Sequence, residues 1–198
     1  MIKKYSNSNF KRYFSVGIIW IDGGSNLDGK RKKGINQILC NLLVRGCEGF
    51  DNFALSDFIE SYGAELNQEV FEDGMLISIK SLDTYFDKLF PLLNLIINKP
   101  ILSKKQFQIV KQYTINSIKK DRENPFNITY ECWRKIVYSE HPYGFNSLGY
   151  IEDVSNISYN DVLSEYERFK SREKYLISNN LRIKEYNYHE NLEDYIVK

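Results

Sequence analysis

The sequence has little of what several large classes of proteins depend on. Only two histidines occur, His141 and His189, which limits both metal binding and acid–base catalysis. The 27 Lys and Arg residues nearly balance the 26 Asp and Glu residues, so the net charge is +1. Because a nucleic-acid-binding protein usually carries a clear basic excess, we expect no nucleic-acid partner.

Cysteines and long apolar runs are also scarce. The three cysteines, Cys40, Cys47 and Cys132, are an odd number without a CxxC pair, so neither a disulfide framework nor a zinc knuckle is expected. The longest mostly apolar stretch, residues 89–97, is far too short to span a bilayer. The N-terminus lacks the apolar segment of a signal peptide. We therefore expect reduced thiols, no membrane partner and a cytoplasmic location.

Apolar residues are abundant enough for a packed core. Hydrophobic residues make up 42% of the chain and aromatic residues 15%, which excludes a disordered chain. At 198 residues the chain can bury a core without disulfide or metal support. Since no internal repeat, low-complexity tract or linker is visible, the sequence predicts a single domain over residues 1–198.

Hydrophobic periodicity predicts a strand, two helices, a hairpin and then a block of helices. The first strand, residues 12–21, alternates apolar residues that end in Trp20, and we expect this face to be buried. The first helix follows Gly34 and should bury Leu39, Leu42 and Leu43. The other predicted elements are a helix over 53–62, strands over 64–71 and 75–82, helices over 83–99, 104–124, 126–139 and 159–170, and a short strand over 181–186. This order predicts an α+β fold with a mostly antiparallel sheet and helices packed on one face.

A series of short motifs accompanies these elements. In chain order they are Asp22-Gly23-Gly24-Ser25, the Gly34-led helix, Gly63 before a strand containing Asn67, Asn124-Pro125, and His141-Pro142-Tyr143-Gly144 followed by Leu148-Gly149. From about residue 14 to 170 this series resembles the insulinase, or pitrilysin-type (M16), metallopeptidase family. The resemblance is to one N-terminal-type half domain, whereas members of the family enclose their substrate between two related domains. In the polar tail, 171–198, residues 179–183 resemble the closing strand of that half domain.

The zinc motif that the resemblance implies is missing. Active members carry H-x-x-E-H on the first helix, where both histidines reach one zinc ion and the glutamate serves as general base. The resemblance puts Gln37, Cys40 and Asn41 at the His, Glu and His positions, and Ser117 near the position of the third ligand, a glutamate. Amides are poor zinc ligands, and Cys40 alone cannot hold the ion. We therefore expect no catalytic residues and no cofactor in this chain, although active relatives hold zinc.

One further site is implied by the resemblance. In active relatives the strand after the second helix is an edge onto which substrate peptide adds as another strand. Here that strand contains Leu66, Asn67, Gln68 and Glu69, with Asn67 matching the family's asparagine and Gln68 replacing its usual alanine. Main-chain hydrogen bonds supply most of the affinity in strand addition, so changed side chains need not abolish it. The alternative is an ordinary exposed edge protected by the charges of Glu65 and Glu69.

Residues outside these motifs have simpler interpretations. We expect Cys40 and Cys47 to be buried or inert thiols and His141 to make a structural hydrogen bond. The basic run 30–33 is interpreted as a solvated loop before the first helix. Tyrosines and phenylalanines at helical spacing are interpreted as core residues.

Three hypotheses of function follow. The first is a catalytically inactive M16-like domain that serves as a partner or peptide-binding subunit of an active M16 zinc peptidase. The second is a zinc-dependent metalloendopeptidase with non-standard ligands, and the third is a truncated remnant without activity. The partners expected under the first hypothesis are another M16-type domain, an active M16 subunit or a second copy of this chain, together with an extended peptide.

Overall fold

The computed structural model describes residues 2–6 and 13–180. Its elements in chain order are β1 (Ile2–Ser6), β2 (Phe14–Asp22), α1 (Ile35–Leu43), α2 (Asn52–Ser61), β3 (Glu65–Val70), β4 (Gly74–Leu82), α3 (Phe86–Asn98), α4 (Lys104–Asp121), α5 (Pro125–Tyr138), α6 (Ile151–Asn156), α7 (Tyr159–Ser171) and β5 (Lys174–Ser178). Several helices begin at capping side chains that the sequence indicates. Asp51, Ser103 and Ser158 accept hydrogen bonds from the first turns of α2, α4 and α7.

The strands form one five-stranded sheet in the order β1-β5-β2-β4-β3. The pairs β5-β2, β2-β4 and β4-β3 are antiparallel, and β1 pairs with β5 in parallel. The hairpin of β3 and β4 sets Gln68 opposite Ile77, and the pairing of β2 with β4 sets Trp20 opposite Leu76. The last strand on the β4 side is β3, so its outer edge carries no strand among the described residues.

The prediction for β2 chose the wrong face. Ile19 and Ile21 are buried against the helices, whereas Trp20 lies half-buried on the open face of the sheet. Gly17 shares the buried face, and a Cβ atom there would lie 2.7 Å from the ring of Phe90 in α3. Because β2 carries apolar side chains on both faces, its alternation does not say which face the helices cover.

The helices lie on one face of the sheet, as predicted. Leu39, Leu42 and Leu43 of α1 are fully buried, and α3 contributes the buried rings of Phe86 and Phe90. Helix α1 contacts α4 and α7 and also reaches β3 at the edge of the sheet. The α+β fold with a mostly antiparallel sheet is therefore confirmed. None of the helices within 13–180 is long and apolar enough to cross a membrane.

The two ends of the sheet differ in detail from the predictions. The C-terminal strand, β5, ends at Ser178, so it precedes the expected closing strand at 179–183. Residues 181–198, which include the predicted strand over 181–186 and His189, lie outside the described residues. Strand β1 was not predicted, because its sequence IKKYS shows no alternation of apolar and polar residues.

The basic run before α1 is not wholly solvated. The Lys33 side chain is buried, donates to the carbonyl oxygen of Asp28 at 3.0 Å and lies 4.3 Å from the ring centroid of Phe145. Lys32 pairs with Asp161 of α7 at 2.5 Å. The solvated-loop interpretation is thus wrong for Lys33, since the loop after residue 144 packs over it and supplies an aromatic face for its charge.

Candidate functional site

The site is built on α1, and Asp28 fixes the start of that helix. Its carboxylate accepts hydrogen bonds from the backbone N–H of Gly34 at 2.6 Å and from the side-chain amide of Asn36 at 2.7 Å. Burial raises the pKa of Asp28 to about 6, although these hydrogen bonds and the charge of Lys33 act in the opposite direction. At neutral pH the carboxylate is thus largely ionised and sits at the positive end of the helix dipole.

A contact between two glycines also holds the beginning of α1. Gly34 has φ +95° and Gly149 has φ +81°, both in the left-handed region. A Cβ atom on Gly149 would lie 2.2 Å from the carbonyl oxygen of Lys33, and one on Gly34 would lie 2.6 Å from that of Leu148. Glycine is required at both positions because two backbones meet there without room for side chains.

The three residues at the motif positions follow one another along α1. Cys40 and Asn41 are buried, and Gln37 is half-buried. Burial raises the pKa of the Cys40 thiol to about 12, so it stays protonated at neutral pH. A protonated, fully buried thiol is not a general base.

Asn41 is joined to the edge strand by a side-chain hydrogen bond. The amide nitrogen of Gln68 donates to Oδ1 of Asn41 at 3.2 Å. The same stretch of α1 brings Sγ of Cys40 to 3.9 Å from the carbonyl oxygen of Glu69. The structure therefore brings the motif positions and the predicted peptide-binding residues together. This bond is not among the predictions from the sequence. The signal that the sequence offers for it is the pair of complementary amide side chains at Asn41 and Gln68.

These residues do not fit a zinc ion. The donors at the four positions are the amides of Gln37 and Asn41, a protonated thiol at Cys40, and the hydroxyl of half-buried Ser117 in α4. Zinc sites in proteins use imidazole, thiolate and carboxylate ligands. No group of three His, Cys, Asp or Glu side chains suited to a metal occurs within the described part of the chain.

His141 and the other cysteines lie elsewhere. Nδ1 of His141 accepts from the backbone N–H of Tyr143 at 3.2 Å, which caps a short turn, so the structural interpretation is confirmed. Cys47 is buried, as expected, and burial raises the pKa of its thiol to about 11. Cys132 is exposed on α5.

The edge strand β3 has a regular alternation of side chains and backbone groups. Leu66 and Gln68 are half-buried on the helix side, and Asn67 and Glu69 are exposed on the other. At the turn of the hairpin, the backbone N–H of Phe71 donates to the carbonyl oxygen of Gly74 at 2.8 Å. Since bonding alternates along an antiparallel pair, the N–H groups of Leu66 and Gln68 point away from β4 toward the free edge.

Comparison with known proteins decides the family. The family model described as Insulinase (Peptidase family M16) matches residues 5–148. The chain belongs to the M16 peptidase family. The H-x-x-E-H motif of active M16 members occurs nowhere in its sequence.

Relatives and solved structures agree with this family. The beta subunit of the mitochondrial-processing peptidase of Caenorhabditis elegans is 21% identical over 144 residues, which is 73% of this chain and 31% of that protein. A peptidase M16 inactive domain from Pseudomonas fluorescens has a TM-score of 0.80 at 18% identity, covering 93% of this chain and 46% of that one. A protease from Helicobacter pylori has a TM-score of 0.79 at 17% identity, covering 85% of this chain and 41% of that one.

The chain is shorter than these M16 proteins. It spans 31% of its curated relative and less than half of both structures, as expected for one half domain. At these identities the structural likeness establishes the fold alone.

Proposed function

We propose that this chain is a catalytically inactive M16-type domain that serves as a partner or peptide-binding subunit of an active M16 zinc peptidase. The observation that carries the proposal is the bond between Asn41 and Gln68. It ties a position of the lost zinc motif to the strand on which the family binds peptides. The side chains that replaced the ligands thus support the edge strand.

The loss of catalysis follows from the chemistry of the replaced positions. A zinc peptidase needs the ion to generate its nucleophile and a general base beside the bound water. Gln37, Cys40 and Asn41 offer two neutral amides and a thiol whose pKa is raised to about 12 by burial. None of them accepts a proton at neutral pH, so ion, nucleophile and base are lost together.

Peptide binding depends on the backbone of β3, which these changes leave intact. An extended peptide would bond to the outward N–H groups of Leu66 and Gln68 and to the neighbouring carbonyl oxygens. Glu65 and Glu69 are exposed on this strand, which favours peptides with basic side chains. The edge can equally be protected by these charges, and binding measurements distinguish the two cases.

The partner role is supported by the names of the relatives. The protein from Caenorhabditis elegans is named as one subunit of a peptidase, and the domain from Pseudomonas fluorescens is named as inactive. We propose that the partner is another M16-type domain, supplied by an active subunit or by a second copy. The three free thiols favour a cytoplasmic location.

Metal analysis tests the loss of the zinc site. After dialysis against zinc and then buffer, we expect well under one zinc ion per chain and no hydrolysis of unstructured peptides. Cys40→Ser is the matched variant, because Cys40 is the one motif residue able to bind zinc as a thiolate. About one zinc ion per chain, lost in Cys40→Ser, would support the alternative of a zinc peptidase with non-standard ligands.

Purification from the native cell tests the partner role. We expect a protein carrying H-x-x-E-H to co-purify with the full chain and to be identifiable by mass spectrometry. If no such protein co-purifies and the chain binds neither zinc nor peptide, it is a remnant without activity and the proposal is wrong.

A further inference from the structure

Helix α5 is attached to the domain by its polar side. Its inward residues Asn127, Glu131 and Arg134 are spaced four and three residues apart, and all three are partly buried. Arg134 pairs with Glu72 at 2.5 Å and donates to the carbonyl oxygen of Tyr143 at 2.7 Å. The helix is therefore held by hydrogen bonds and an ion pair, and none of its residues is fully buried.

The apolar side of α5 faces solvent, which contradicts the interpretation of its aromatic residues as core. Four residues form an apolar stripe along the helix, and Ile136 lies beside it at 82% exposure. The exposed fractions of the stripe residues are 72% for Phe126, 48% for Tyr130, 49% for Trp133 and 54% for Val137. The stripe lies about a quarter turn around the helix from the inward polar residues, and Ile136 points directly away from the domain. An exposed apolar stripe of this kind marks an interface.

The aromatic rings of the stripe already stack on one another. The ring centroids of Phe126 and Tyr130 are 6.2 Å apart with nearly parallel planes, and those of Tyr130 and Trp133 are 5.6 Å apart. Contacts between rings restrict their rotamers before any partner binds. A preorganised surface loses less side-chain entropy on association.

We propose that α5 is the self-association surface of this protein, on which two copies pair their α5 helices antiparallel about a two-fold axis. The stripe residues are spaced four, three and four apart, and this pattern reads the same in both directions. In an antiparallel pair Phe126 therefore meets Val137 of the second copy, and Tyr130 meets Trp133. Such self-complementarity is what a two-fold interface requires.

The size and charge of the surface favour a second copy. The stripe and Ile136 expose on the order of 600 Å² of side chain, so two copies would bury at most roughly 1,200 Å², which lies at the lower end of the range for specific interfaces. The charges at its border are already paired, Lys135 with Glu131 at 2.7 Å and Arg134 with Glu72. The helix dipoles of an antiparallel pair also attract each other.

This surface is separate from the outer edge of β3. The self-association of α5 holds whether or not β3 binds a peptide. The proposed function can therefore fail while this inference stands, and the reverse is also true.

Sedimentation velocity on the full chain tests the proposal. We expect a dimer over the micromolar range, and at least tenfold weaker association for the double variant Trp133→Lys/Ile136→Lys. Ile136 is 82% exposed and Trp133 is 49% exposed, so neither is a core residue and the variant should keep the circular dichroism spectrum of the parent protein. Phe53→Lys is the control, because Phe53 is 78% exposed on α2 and its replacement should leave the dimer intact.

A spin label on Cys132 tests the geometry. Cys40 and Cys47 are buried, so a thiol reagent should modify Cys132. Along the helix axis Cys132 is level with the midpoint of the stripe, although it lies on another side of the helix. Because packed helices lie 8–10 Å apart, two labels near the axis should give one narrow distance below about 30 Å. A monomer at high micromolar concentration, a dimer that survives the double variant, or a clearly longer distance would overturn the proposal.

Discussion

At the residue scale, two glycines decide how helix α1 is held. Gly34 begins α1 in the left-handed region and faces Gly149, which also has a positive φ. The two segments lie more than a hundred residues apart in the chain, yet their backbones touch. The position of Gln37, Cys40 and Asn41 relative to β3 depends on this contact.

Replacing Gly149 with alanine should therefore destabilise the protein. A Cβ atom would meet the carbonyl oxygen of Lys33 at 2.2 Å, and φ +81° disfavours any L side chain. We expect the free energy of unfolding in urea to fall by about 2 kcal/mol or more. Gly29→Ala is the control, since its Cβ atom would meet nothing within 4 Å. Equal stability of the two variants would show that the contact is dispensable.

At the scale of elements, the two edges of β3 differ. One edge pairs with β4, and Gln68 reaches back to Asn41 on α1, so the strand is fixed. The other edge carries no strand among the described residues. The proposed peptide binding uses this second edge, where a peptide would add as a further strand.

A proline at position 68 should block that addition without unfolding the sheet. Proline removes one outward N–H, and edge strands tolerate it because no bond to β4 is lost. We expect Gln68→Pro to bind an unstructured decapeptide of alternating lysine and valine at least tenfold more weakly in fluorescence anisotropy.

Gln68→Ala is the matched variant, because it also loses the bond to Asn41 but keeps its N–H group. It should retain most of the affinity for the same peptide. A decapeptide with glutamate in place of lysine should bind more weakly, since Glu65 and Glu69 repel it. Equal binding by the proline and alanine variants would exclude strand addition at β3.

At the scale of the whole molecule, a buried arginine connects an early and a late segment of the described chain. Arg172, between α7 and β5, pairs with Glu165 and donates to the carbonyl oxygen of Gly23 at 2.8 Å, a separation of 149 residues along the chain. Lys174 caps the end of α7 through hydrogen bonds to Phe169, at 3.0 Å, and to Lys170 and Arg172. These contacts set α7 against the end of β2.

Removing Arg172 should destabilise the whole fold. In Arg172→Met, Arg168 is the one ion-pair partner that Glu165 keeps among residues 13–180, and the side chain of Arg168 is 76% exposed. We expect a loss of about 3 kcal/mol in thermal or urea unfolding. The double variant Arg172→Met/Glu165→Leu should recover at least about 1 kcal/mol, because it leaves no unpaired charge.

Arg168→Met is the control for this pair, and an exposed ion pair contributes about 0.5 kcal/mol or less. A double variant less stable than Arg172→Met would mean that Glu165 does not depend on Arg172.

The sequence by itself determined the features that depend on neighbouring residues. Local patterns predict the alternation along β2 and the capping residues of α2, α4 and α7. They also predict the hairpin turn that ends at Gly74. The absence of an H-x-x-E-H motif is likewise visible in the sequence.

Only the tertiary structure decided the features that depend on distant residues. Both faces of β2 are apolar, so the position of the helices determines that Ile19, and not Trp20, is buried. Helix α5 has an apolar side and a polar side, and the pairing of Arg134 with Glu72 turns the polar side inward. Asn41 and Gln68 form their bond because α1 packs against β3. Periodicity specifies which residues share a face, but the elements that pack against that face are fixed by contacts between distant parts of the chain.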